Sequence, residues 1–237
     1  KSIPDALNMR SFIFQNLEKS LTKQADESLE EILNIAVVGG GPAGIELAGA
    51  LAEMKHFVIP KDFPDLDISK LSINLYQSGP KLLNAMSEEA SDKSLEYLQQ
   101  LGINVFLNAR VTDYDGDQLI LSDGTSFKTD TVIWTAGVKG APIKGLPKNA
   151  IIGGNRISVD QYNQVLHTDS IFAIGDVAAH ITEENKKGLP MLAPVAKQQG
   201  KLLARNILQL INNQPMRAFE YKNRGVMATV GRKKAVA

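Results

Sequence analysis

The sequence predicts an α/β protein built on a parallel sheet with an antiparallel β-meander, and three observations predict it. A short apolar strand, Asn34–Val38, runs into Gly39-Gly40-Gly41 and then into a helically spaced apolar stretch from Pro42 to Lys55. Strand and helix patterns then alternate, with Leu71–Tyr76 and Asn104–Leu107 on either side of a helix opened by Ser87. Two Asp-Gly pairs, Asp115-Gly116 and Asp123-Gly124, flank the apolar run Gln118–Leu121, which is the pattern of tight antiparallel turns.

The remaining elements follow in order. Ala6, Met9, Ile13, Leu17 and Leu21 share one face of a helix over 3–21, with Ser2 and Asp5 at capping-box spacing and Pro4 in its first turn. Lys23–Glu31 is polar and reads as a linker or a solvated helix end, and residues 60–70 read as an acidic loop. Ser87 caps its helix with Glu88 and Glu89 in the positive first turn, Ala90, Leu95, Leu98 and Leu101 form the inner face, and Gly102 ends it. Thr131–Trp134 forms another strand, ending at Thr135-Ala136-Gly137. A strand at Ser170–Ile174 runs into Gly175-Asp176, and a helix follows from Ala193 to Asn212, with Ala196, Leu203, Ile207 and Leu210 on one face.

Composition narrows the function. Among 237 residues, 26 Lys and Arg balance 26 Asp and Glu, which argues against a nucleic-acid binder working through bulk positive charge. The absence of cysteine excludes a disulfide framework, thiolate metal sites and thiol redox chemistry within the chain. Ile35–Ala52 is apolar, but it holds Pro42, Glu46 and five glycines and does not read as a membrane span. The first residue is not Met and the last three, Ala235-Val236-Ala237, stop inside an apolar run, so the sequence reads as a fragment of a longer protein.

The strongest local signal is Gly39-x-Gly41-x-x-Gly44 between a strand and a helix, with Gly40, Pro42 and Ala43 completing the turn. In a dinucleotide fingerprint the first glycine makes the turn, the second lets the backbone approach a pyrophosphate, and the third lets helix and strand pack closely. A purely structural glycine turn is the alternative. The fingerprint expects an acidic residue at the end of the second strand to hold the ribose. Gln77 stands there, able to hydrogen-bond a ribose but not to repel a 2′-phosphate, or else simply a strand-end surface residue. His56, His167 and His180 show no metal-ligand spacing, so no metal site is assigned. Arg232-Lys233-Lys234 is a basic run that forms either a solvated edge or a membrane-facing surface.

The glycine turn, Thr135-Ala136-Gly137-Val138 after an apolar strand, and Ile171-Phe172-Ala173-Ile174-Gly175-Asp176-Val177-Ala178 occur in the order of the two-dinucleotide-binding, Rossmann-like flavoproteins. Among these the chain resembles the type II NADH dehydrogenases, single-subunit, non-pumping NADH:quinone oxidoreductases. Val132–Val138, Ala193–Gly200 and Met227–Ala237 carry that likeness. The resemblance covers nearly the whole chain, but not the family's amino-terminal flavin half or its carboxy-terminal membrane-binding tail.

The resemblance implies a helical segment and linker of the flavin domain at 1–32, an NAD(H)-binding domain at 33–138 and a partial FAD-binding domain at 139–237. It implies FAD and NADH as cofactors, with NADH passing a hydride to the flavin and the flavin then reducing a quinone, the protein's work being to position the rings. Ala136 and Gly137 would lie with Gly175 and Asp176 among the cofactor contacts, Asp176 accepting hydrogen bonds from the ribityl chain. An N-capping Asp that merely stabilises a following helix is the alternative. The helix at Ala193 and Ala196 would approach the flavin ring and the quinone. The family pattern Ala-Gln-x-Ala-x-Gln is matched by Ala193, Ala196 and Gln198, whereas its first Gln is Pro194 here. Glu46 would lie near the nicotinamide and the quinone path, so Glu46 and Gln198 are the candidate catalytic residues. The implied partners are a quinone, a membrane met peripherally at its cytoplasmic face through a segment outside the chain, and a second copy in a homodimer, with no nucleic acid. The alternatives are a related flavoprotein reductase with another acceptor, such as a ferredoxin reductase, or a nicotinamide-binding module without catalysis. A sulfide:quinone reductase would need redox cysteines that this segment lacks.

Overall fold

The computed structural model describes residues 2–22, 29–141 and 143–237. It falls into two compact units, Lys1–Gly137 with Val226–Ala237, and Val138–Gly225. The expected boundaries at 32 and 138 therefore differ from the packing: residues 2–22, 29–32 and 226–237 pack with the nucleotide-type sheet. The expected linker at Lys23–Glu31 falls mostly on 23–28, outside the described residues.

In the first unit, α1 (Ile3–Thr22) opens on a reciprocal cap, Ser2 N donating to Asp5 Oδ2 at 2.9 Å and Asp5 N to Ser2 Oγ at 3.4 Å. The single turn α2 (Leu29–Ile32) feeds β1 (Asn34–Val38), and α3 (Pro42–Phe57) follows the glycine turn. The loop expected at 60–70 is partly helical: α4 (Ile59–Asp62) and a 3-10 turn at Ile68–Lys70 interrupt it, the first anchored by fully buried Ile59. Then come β2 (Ser72–Tyr76), α5 (Glu88–Gln100), β3 (Asn104–Phe106), the meander β4 (Val111–Tyr114), β5 (Gln118–Leu121) and β6 (Ser126–Lys128), and β7 (Thr131–Trp134). The Ser87 hydroxyl accepts from Ala90 N at 3.1 Å, the predicted cap of α5.

The main sheet is parallel with order β3-β2-β1-β7. Helices cover one face, where Ile35, Val37, Ile73 and Leu75 pack with Leu17, Ile45, Ala48 and Leu98. The meander covers the other, where Val38 and Tyr76 pack with Val111, Leu119 and Leu121. Burial on both faces explains why β1 reads as a continuous apolar run. Each buried Ile or Leu contributes roughly 1.5–3 kcal/mol.

In the second unit, β9 (Arg156–Val159) lies antiparallel to β8 (Ile151–Ile152) and parallel to β10 (Ala178–His180), and α6 (Ala193–Ile211) follows. The strand expected at Ser170–Ile174 does not form. The chain turns at Asn163 and His167, both at positive φ, and pairs back on itself as one bridge, Gln164 with Phe172. The ladder position beside β9 is taken by β10 instead. The apolar residues that share one face of α6 are not the ones it buries. Val195, Gln199 and Asn206 are buried, whereas Ile207 and Leu210 stand 42% and 44% exposed.

The C-terminal hairpin, β11 (Ala228–Val230) and β12 (Lys234–Val236), returns to the first unit and lies on α3, so close that a Cβ on Gly49 would sit 2.6 Å from Gly231 N. Two members of the basic run are engaged there. Arg232 pairs with Glu53 at 3.0 Å, and the Lys234 ammonium sits 4.1 Å from the centre of the Tyr97 ring.

Candidate functional site

The glycine turn lies at the C-terminal end of β1, where the sheet order reverses between β2 and β7, the place where doubly wound sheets bind ligands. Its glycines have different work. Gly39 has φ +115°, and a Cβ there would sit 2.8 Å from Ala136 N. A Cβ on Gly44 would lie 1.8 Å from Gly39 O, so both are dictated by packing. At Gly41 an added Cβ meets nothing within 4 Å. Gly41 is the N-cap of α3, Pro42 follows in its first turn, and Ala43 and Gly44 carry early amides that have no intrahelical acceptor. This open space beside the positive end of a helix suits an anion. The Thr135 hydroxyl, donating to Val38 O at 2.8 Å, ties the end of β7 to the turn, and Gly137 at φ +98° lets the chain leave it.

Gln77 is placed differently from a free strand-end residue. It is buried, its Oε1 accepts from Gly40 N at 3.0 Å, and its Nε2 donates to Lys81 O at 3.1 Å. Beside it a cavity of about 230 Å³ opens at the strand ends, lined among others by Gly39, Gln77, Ser78, Arg110, Trp134 and Ala136. The sequence reading missed Ser78, Arg110 and Trp134. Half-exposed Trp134 was legible as an aromatic closing a strand of the switch point, whereas Arg110 depends on a long-range pairing. Tyr76, stacked on Phe106 at 4.9 Å, underlies the cavity, and burial pushes its hydroxyl up to about 12.

Glu46 does not line that cavity. It stands exposed on α3, its Oε1 accepting from Thr229 N at 3.3 Å, over a separate hollow with Glu53, Met54 and Arg232.

In the second unit Asp176 sits not at the start of a helix but in a 3-10 turn, Gly175–Val177, that leads into β10, so the helix-capping alternative falls away. Two buried side chains missed from the sequence hold this turn. Gln199 Oε1 accepts from Gly175 N at 2.8 Å, while its Nε2 donates to Asn163 Oδ1 at 3.0 Å. Arg156 donates to four backbone carbonyls, Asp176 at 3.2 Å, Ala178 at 2.5 Å, Lys187 at 3.1 Å and Leu189 at 2.8 Å. Burial lowers the Arg156 pKa and the nearby Asp176 charge opposes the shift. The Asp176 side chain itself is exposed and makes no hydrogen bond among the described residues. Ala193 opens α6, the Ala196 methyl lies 3.6 Å from the position of a Cβ on Gly175, and Gln198 clamps the Lys222 backbone, donating to its O and accepting from its N at 3.0 Å each. Among the described residues no cluster of three His, Asp or Glu could hold a metal, and no helix is long and apolar enough to cross a membrane.

A parallel sheet with a glycine turn at its switch point, a covering meander and a braced Gly-Asp turn defines a Rossmann-like flavoprotein fold. The sequence signature of the pyridine nucleotide-disulphide oxidoreductases matches residues 7–200, and the chain belongs to that family. It is 36% identical over 205 residues to a type II NADH:quinone oxidoreductase of Haemophilus influenzae, covering 85% of this chain and 45% of the relative. Identity is 31% to the Mycobacterium tuberculosis enzyme of the same name, covering all of this chain and 52% of the relative. The chain thus spans about half the length of these curated relatives. Its fold matches Plasmodium falciparum NDH2, solved in complex with NADH, with a TM-score of 0.85 at 22% identity, over 99% of this chain and 63% of that one.

Proposed function

We propose that the chain is the nicotinamide-binding half, with part of the flavin half, of an FAD-dependent type II NADH:quinone oxidoreductase. The unit formed by residues 1–137 and 226–237 binds NADH, and residues 138–225 belong to the flavin domain. The observation that carries this reading is the open space at Gly41, the N-cap of α3, where an added Cβ would meet no described atom within 4 Å while Gly39 and Gly44 are packed tight. The likeness to the H. influenzae and M. tuberculosis enzymes supports the choice of electron donor and acceptor.

The residues present fit both nucleotides. The turn at 39–44 holds the pyrophosphate of NADH through backbone N–H groups. The exposed Asp176 carboxylate, on a turn pinned by Gln199 and Arg156, suits the hydroxyls of a flavin's ribityl chain. When bound, FAD supplies the redox chemistry, accepting two electrons from NADH and delivering them to a quinone. Glu46 and Gln198 are the polar groups we assign to the nicotinamide and quinone side. A quinone is lipid-soluble, so the enzyme meets the membrane peripherally, and we propose the cytoplasmic face as the place and a homodimer as the assembly.

Calorimetric titration of the chain with NADH tests the reading. Saturable one-site binding is expected, and no binding overturns it. Steady-state assay of the natural full-length protein with a quinone and with ferredoxin then separates the acceptors, and turnover is expected with the quinone.

A further inference from the structure

The cavity at the strand ends carries a charge pattern that the nucleotide reading does not use. The adenosine ribose of a dinucleotide lies at the end of the second strand, where a carboxylate normally holds the 2′-hydroxyl and repels a 2′-phosphate. Here that place is taken by the neutral Gln77, whose amide is committed to Gly40 N and Lys81 O. Among the described residues no carboxylate lines the cavity, and the one charged residue of its wall is Arg110. The Arg110 guanidinium makes no ion pair or hydrogen bond among the described residues, and neither does the Ser78 hydroxyl.

The backbone fixes these two groups against one another. Ala109 N donates to Gln77 O and Asn108 N to Gly79 O, each at 2.9 Å, which zips 108–110 alongside 77–79. Arg110 O accepts from Ser122 N at 2.8 Å, which ties the same segment to the meander. A guanidinium held by its backbone but with all five N–H donors free is suited to bidentate recognition of a phosphate, and a neighbouring hydroxyl adds a further donor.

We infer that Arg110, with Ser78, forms a subsite for the 2′-phosphate of an adenine dinucleotide, so that the site takes NADPH as well as NADH. The inference rests on the nicotinamide reading above and adds a specificity-determining residue to it. NADH and NADPH differ only by the 2′-phosphate, so the two nucleotides are their own controls.

The test is calorimetric titration of the chain and of its Arg110→Gln variant with each nucleotide, with thermal melting to check that the variant folds. The unaltered chain is expected to bind both nucleotides. Arg110→Gln should weaken NADPH about tenfold and leave NADH within about twofold, as loss of a charge-assisted contact to one group would. Raising the salt concentration should weaken NADPH more than NADH in the unaltered chain, and should lose that selectivity in the variant. Binding of NADH with no measurable NADPH, or a loss shared equally by both nucleotides, overturns the subsite. Binding of neither nucleotide overturns the nicotinamide reading itself, and the subsite with it.

Discussion

The side-chain oxygen of Gln77 accepts a hydrogen bond from the backbone amide of Gly40 at 3.0 Å, so the second strand braces the glycine turn of the first. In the proposed site this bond links the residue at the ribose end to the loop that would hold the phosphates. Gln77→Glu keeps an acceptor for Gly40 but sets a carboxylate oxygen against Lys81 O, where Nε2 now donates. The variant should lose about 1 kcal/mol of stability from that mismatch. Its NADH-to-NADPH preference should rise by repulsion of the 2′-phosphate. Denaturant melting and paired titrations read the two effects, and an unchanged preference would place Gln77 away from the ribose.

Gly41 and Gly44 separate binding from folding. Gly41→Ala adds a methyl group into open space, so the melting temperature should hold while NADH affinity falls about tenfold or more, the methyl occupying the pyrophosphate's place. Gly44→Ala drives a Cβ to 1.8 Å from Gly39 O and should destabilise the first unit by roughly 1–3 kcal/mol or more. Comparable melting of the two variants would contradict this division of roles.

Much of the fold was legible because its signals are local. The Ser87 cap and the Asp-Gly turns of the meander each depend on a few neighbouring residues, and β1 and β7 form over the residues their apolar runs mark. Other features depend on distant partners. The inner face of α6 is chosen by Gln199 and Asn206, polar residues satisfied by Gly175, Asn163 and the Arg217 backbone, and an apolar-spacing argument cannot find such positions. Ser170–Ile174 reads as a strand by composition, yet β10 takes the place beside β9. In the candidate site the glycine turn was legible. The bracing roles of Gln77, Gln199 and Arg156 were not, since each joins segments 20 or more residues apart.

Arg156 is a buried cation whose partners are all carbonyls. Arg156→Met fills similar volume but leaves those carbonyls without their donor, and buried unsatisfied acceptors cost about 1–3 kcal/mol each. The second unit should therefore lose several kcal/mol in denaturant melts, and Arg156→Lys, with three donors and no planar fork, should recover only part. Wild-type stability in the Met variant would show that water replaces the guanidinium.

Tyr76 gives a pH dependence whose sign is fixed. Burial raises its folded pKa from 10.0 to about 12, so the neutral hydroxyl is favoured in the folded state. The resulting stability is present in full below pH 10 and is lost as the pH climbs toward about 12. Tyr76→Phe has no proton to lose, so its stability should fall less steeply across that window. Identical slopes for the two proteins would mean that Tyr76 ionises in the folded state as it does in the unfolded chain.

The last prediction concerns what the 237 residues hold by themselves. The chain has a single G-x-G-x-x-G, at 39–44, and it closes β1 in the unit assigned to NADH. FAD has a pyrophosphate of its own and needs a second set of backbone N–H donors for it. The second unit offers Asp176 on its braced turn and the start of α6, which suit the ribityl chain and the ring but supply no glycine-rich phosphate cradle. Each charge-assisted hydrogen bond absent from the phosphates removes about 1.5–3 kcal/mol, and losing a few of them turns tight binding into weak binding. The purified chain should therefore be colourless and inactive toward quinone, while binding NADH with an affinity that responds to Gly41→Ala. Asp176→Asn should leave NADH binding unchanged if, as proposed, Asp176 serves the flavin. A preparation carrying a stoichiometric flavin absorbance band would refute the argument, and would locate a phosphate cradle among backbone amides outside the glycine turn.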